Sequence, residues 1–261
     1  MTTVPLTGRL PRRLRDGEEA TVVEHLDELR SRLIVAGGAV VLCTIVAFAF
    51  QQRILAWLSG PLPADHSKLT TFGVAEPFLT TFKVSLWAGV GAAFPILLWQ
   101  LWGFLAPAVA KRTQRALIGC VVFAAALLAG GVTFGYYLVL PKALTFLLHY
   151  NDHTFNVLVR ASDYYNFVLL VLIAMGVVFE LPIFVLALVR LGILTSHQLR
   201  HSRKIGYFIV AIVAVALPGI DPITTTLEAI PLFILYESSI WLSVALEHRT
   251  NPNDPTHAEW S

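Results

Sequence analysis

Tyr164 to Val189 reads YYNFVLLVLIAMGVVFELPIFVLALV, twenty-six residues that are nearly all apolar and hold one acid, Glu180. A bilayer core about 30 Å thick is crossed by about 20 helical residues at roughly 1.5 Å each. The stretch is therefore a membrane span, and the fold is all-α. By the same rise, Glu180 lies roughly 15 Å from Arg190 and roughly 24 Å from Tyr164, inside the hydrocarbon slab. A charged residue placed there costs on the order of 3 kcal/mol, and such acids usually face a protein interior or a watery cavity. The functional reading is thus the default. The plainer alternative is a helix-packing glutamate, protonated and hydrogen-bonded to a neighbour.

Composition agrees with a membrane protein: 56% of residues are hydrophobic and 14% charged, against about 25% charged in soluble domains. The net charge of +2 does not point to nucleic acid, because Lys and Arg are segregated by loop rather than gathered on one face. Cys43 and Cys120 both fall in apolar stretches and read as small core residues, with no disulfide or metal spacing.

Six apolar runs are candidate spans: Leu33–Phe50, Val84–Leu105, Ala116–Leu140, Tyr164–Val189, Ile205–Leu217 and Thr224–Leu246. The fifth has thirteen residues, roughly 20 Å of helix, and is short of a normal core. It joins the last run through Pro218-Gly219-Ile220-Asp221-Pro222, a strong turn signal, so the two form a hairpin. A thinned bilayer or neighbouring helices would cover the mismatch. Alternate loops carry fourteen basic residues against four, which gives six spans with both termini cytoplasmic. Pro95, Pro182 and Pro231 lie inside apolar runs and are expected to bend or break them, and Pro141 is expected to close the third.

Residues 1–21 are a polar basic segment, 22–247 the membrane domain and 248–261 a polar tail. The Arg12-Arg13 pair is not read as an export signal of this chain, since acids follow it and the next apolar run is too long for a signal peptide. Val22, Leu26, Leu29 and Leu33 make one apolar stripe, with Glu24, Asp27 and Glu28 on the other face. Thr21 and Glu24 have the spacing of a capping box. This is an amphipathic helix on the membrane surface, running into the first span. Its acids suit an arginine-bearing peptide, because a guanidinium and a carboxylate pair through two parallel hydrogen bonds. The competing reading is internal pairing, Glu28 with Arg32 and Asp27 with Arg30. No Gly-x-Ser-x-Gly, His-Glu-x-x-His or Walker loop is present, and most histidines fall in loops.

His25-Leu26-Asp27-Glu28-Leu29-Arg30-Ser31-Arg32-Leu33 resembles the opening signature of TatC, the multi-spanning subunit of the twin-arginine protein translocase. Glu76-Pro77-Phe78, Phe94-Pro95, Gln100 to Pro107, Phe134 to Tyr137, Phe179 to Pro182, Arg190 to Leu194, Asp221, Ala229-Ile230-Pro231 and Glu237 continue the resemblance in order, over roughly 22–247. It implies a cupped, glove-like wall of six helices, the last two short, in the cell membrane. It implies a receptor rather than an enzyme, without cofactor or metal. Such a receptor binds the twin-arginine signal peptides of folded proteins and recruits small single-span partners, TatA-like and TatB-like. Export then runs on the proton-motive force, from a homo-oligomer inside a larger complex. On the matching positions, Glu28 is the carboxylate for the signal arginines, with Leu26, Asp27, Arg30, Phe104 and Pro107 shaping that surface. Glu180 is the polar floor of the concave face, and Leu217, Thr225 and Glu237 dock partner helices. Two departures stand out. Thr113 and Gln114 occupy the place where the family usually carries a loop glutamate, and Thr225 replaces a family glutamine. Read without the resemblance, the residues also fit a proton-coupled solute transporter using Glu180, or a structural scaffold.

Overall fold

The computed structural model describes residues 22–64, 69–105, 114–150, 158–190, 193–218 and 222–250. Secondary structure there is helical, apart from one isolated bridge between Thr70 and Arg160. The order is α1 (Val22–Ala49), α2 (Gln51–Leu58), α3 (Glu76–Leu105), α4 (Gln114–Phe134), a π turn (Gly135–Val139) and α5 (Leu140–His149). There follow α6 (Ala161–Phe179), α7 (Leu181–Arg190), α8 (Ser196–His201), α9 (Arg203–Ala216) and α10 (Pro222–Thr250).

Five segments are long and apolar enough to cross a membrane: Leu26–Ala49, Glu76–Phe104, Ile118–His149, Ala161–Arg190 and Thr224–Ala245. The fourteen-residue α9 is the short sixth crossing, roughly 21 Å long. The last crossing is Thr224–Ala245 within the 29-residue α10 and is the shortest of the five. Pro231 does not interrupt it, and Pro95 does not interrupt α3. Pro141 does not close the third span either. The π turn ahead of it widens the helix by one residue, which gives room for a ring that has no N–H to donate. The helix then continues to His149. Only the Pro182 region breaks: α6 stops at Phe179, α7 starts at Leu181, and Glu180 is the residue between them.

Packing makes a spread wall. The main partners are α1 with α3, α4 with α6, and α10 with both α7 and α9. Small residues let α4 approach α6 closely, as in membrane packing generally. A Cβ on Gly131 would stand 2.6 Å from the Met175 carbonyl oxygen, and one on Gly176 would stand 2.9 Å from Leu128 Cδ1. The fully buried centre is Val139, Leu140, Val168, Val171, Met175, Leu232 and Ile240, where the π turn, α6 and α10 meet. At the edge, Leu26, Leu29 and Leu33 keep their apolar stripe uncovered on α1.

Candidate functional site

At the cytoplasmic end of the wall, the start of α1 lies beside the end of α3. Glu28 and Arg32 are one turn apart, so their side chains meet on one face. Arg32 Nη2 donates to Glu28 Oε1 at 2.6 Å and Nε donates to the same oxygen at 2.9 Å. Arg32 Nη1 lies 3.5 Å from Gln100 Oε1 on α3. The internal pairing of Glu28 therefore forms. Leu26, Asp27 and Arg30 are exposed around it, and Phe104 is half-buried one residue beyond Gly103 on α3. Pro107 and Thr113 lie outside the described residues, and Gln114 opens α4.

Within the span, Glu180 is 9% exposed, and neither carboxylate oxygen has a hydrogen-bond partner among the described residues. The packing reading pairs this acid with a neighbour, and the backbone N–H of Leu128 on α4 is directed at it. Glu180 sits where the helix is already interrupted. Its N–H turns back to the Val177 carbonyl at 3.1 Å, and Pro182 offers no N–H to the preceding turn.

The three expected docking residues divide between two places. Leu217 closes α9 and is buried, and Thr225 lies in the first turns of α10. Glu237 is twelve residues further on, roughly 18 Å along the helix. There Tyr207 donates its hydroxyl to Glu237 Oε1, and Arg203 Nη2 approaches Oε2 at 3.5 Å. Tyr207, Phe233, Ile234 and Glu237 line an open groove of about 620 Å³.

On the opposite side lies a cluster around Glu76, whose Glu76-Pro77-Phe78 motif carried no role in the sequence reading. Glu76, 7% exposed, accepts from Phe72 N at 2.9 Å, Gly73 N at 3.1 Å and Ser162 N at 3.3 Å. Arg160 adds Nε at 2.9 Å and Nη2 at 3.1 Å. The carboxylate thus serves the N-termini of α3 and α6 together, where negative charge suits the helix dipoles. Its hydrogen bond and charge push the Arg160 guanidinium further up from its ordinary value. Beside it, tyrosine hydroxyls take up carbonyls at the end of α2: Tyr136 to Trp57 at 2.5 Å and Tyr164 to Leu58 at 2.9 Å. In the sequence Glu76 stands ahead of Pro77 as an acid and a proline at a helix start, within the Glu76-Pro77-Phe78 motif of the resemblance. Arg160, 84 residues away, was legible only as a loop charge. The sequence also left Glu228 without a role, although it is fully buried, one turn from fully buried Thr224 on the inner stripe of α10.

An open wall of membrane helices, with an acid–arginine pair at its cytoplasmic edge and a buried acid at a helix break, defines a multi-pass helical membrane protein. The family profile described as "Sec-independent protein translocase protein (TatC)" matches residues 24–231, and the chain belongs to that family. It is 32% identical to the Sec-independent protein translocase protein TatC of Magnetococcus marinus, covering 94% of this chain and 92% of the relative. It is 35% identical to TatCd of Bacillus subtilis, covering 87% and 93%. A crystal structure of the twin arginine translocase receptor TatC in DDM superposes with a TM-score of 0.73 at 34% identity, covering 84% of this chain and 99% of that one.

Proposed function

We propose that this chain is the receptor subunit of a twin-arginine translocase in the cell membrane. It binds the twin-arginine signal peptides of folded proteins at the cytoplasmic edge formed by α1 and α3. It then recruits small single-span TatA-like and TatB-like subunits, within a larger complex that contains several copies of the receptor and exports its cargo on the proton-motive force. It acts by binding and not as an enzyme. The observation that carries the reading is the Glu28 carboxylate, which already holds a guanidinium through two donors on the face that the signal would meet. An arginine side chain is the ligand that such a carboxylate recognises by geometry as well as charge.

Leu26, Asp27, Arg30, Phe104 and Pro107 shape the surface around Glu28. With Thr113 in place of the family's loop glutamate, Glu28 and the neighbouring Asp27 supply the negative charge. Glu180 serves the translocation step. Leu217 and Thr225 dock one end of a partner helix, and Glu237 faces it deeper in the membrane.

The test is crosslinking of a twin-arginine signal peptide to the chain in native membranes that also hold its partner subunits. The expected result is a crosslink to the wild type that Glu28→Ala and a twin-lysine peptide both lose. Absence of any specific crosslink to the wild type would return the chain to the transporter and scaffold readings.

A further inference from the structure

Arg32 occupies the position that an incoming arginine has to take. Its Nε and Nη2 both lie on Glu28 Oε1, and its Nη1 points to Gln100 across the α1–α3 seam. The guanidinium fills the space that a side chain at position 103 would use. A Cβ on Gly103 would overlap Nη1 and stand 3.0 Å from Cζ. Gln100 and Gly103 are three residues apart on α3, so the amide acceptor and the notch share one face. The side chains of Arg32 and Glu28 are 27% and 34% exposed, open to exchange with a ligand from the cytoplasm.

We propose that Arg32 is a resident competitor for Glu28, and that Arg32, Gln100 and Gly103 together set the affinity of the signal site. This rests on the reading of Glu28 given under Proposed function. An arriving arginine offers the same two-donor fork and exchanges for Arg32 on equal terms. Gln100 then takes over the displaced guanidinium, which keeps a hydrogen-bond acceptor at the seam. A lysine brings a compact ammonium that cannot reproduce the fork, so it binds Glu28 less well whether or not Arg32 competes. Competition by Arg32 therefore lowers the affinity of every ligand by the same factor and leaves the arginine-over-lysine ratio, which Glu28 sets, unchanged. Since an exposed pair one helical turn apart contributes about 0.3 to 1 kcal/mol, its removal should raise affinity about two- to fivefold.

The experiment is equilibrium binding of a labelled twin-arginine peptide and its twin-lysine counterpart to the full chain in lipid nanodiscs. Arg32→Gln removes the competitor. Gly103→Ala expels its guanidinium from the notch and leaves the charge in place, which separates competition from loss of a repelling cation. Both should bind either peptide about two- to fivefold more tightly and leave the arginine-over-lysine ratio unchanged. Glu28→Gln should lose binding. If it does, and the other two variants bind more weakly or as the wild type does, the competitor is refuted and Glu28 stands. If Glu28→Gln binds at wild-type affinity, the reading of Glu28 itself falls, and the competitor with it.

Discussion

Glu76 and Glu180 are buried to the same degree, 7% and 9% exposed, and are treated in opposite ways. Glu76 accepts from three backbone N–H groups and from both arms of Arg160. Glu180 makes no well-formed hydrogen bond to the described residues, and only the backbone of Leu128 is directed at it. A buried charge that is fully hydrogen-bonded fastens structure, and its loss exposes a set of orphaned donors. A buried acid held this loosely adds little to the fold, which leaves room for another role. The first joins the start of α3 to the start of α6 at the extracytoplasmic face. The second lies at the one break in the most apolar span.

The contrast should be plain in stability. Glu76→Ala leaves Phe72, Gly73 and Ser162 without their acceptor and should lower stability by about 3 kcal/mol. Thermal unfolding of the detergent-solubilised chain reads this directly. Glu180→Met should act in the other direction, raising stability by about 1 to 2 kcal/mol because an orphaned polar group is replaced by an apolar side chain of similar size. Export of a twin-arginine reporter should fall in the same variant. A loss of stability there would mean that Glu180 has a structural partner after all. Tyr136→Phe, which removes the hydroxyl bonded to the Trp57 carbonyl, should cost about 1 kcal/mol and leave signal binding intact. Glu28→Gln should change stability least, by under about 1 kcal/mol for so exposed a pair, although it abolishes binding.

The sequence made the depth of Glu180 legible and concealed the partners of Glu76, for a physical reason. Glu180 interrupts twenty-six apolar residues, so its depth follows from helix rise alone. The six crossings and their orientation are read from the same kind of local signal, apolar length and loop charge. The Glu28–Arg32 pair was also readable, because one helical turn is a local distance. The role of Glu76 depends on Arg160, and that of Arg32 on Gln100 and Gly103, contacts made only once distant helices pack. The helix continuing past Pro141 escaped for a related reason: the π turn that accommodates the ring has no sequence signature as clear as the proline itself. For α10, Pro231 lies inside a helix that continues through it, so the proline does not break the last crossing.

The most direct test is export of a folded reporter in cells that lack their own receptor of this family and supply the small single-span subunits. The chain should export the reporter behind a twin-arginine signal and not behind a twin-lysine one, and Glu28→Gln should stop export while the protein remains in the membrane. Equal export of the twin-lysine reporter, or full export by Glu28→Gln, would contradict the account.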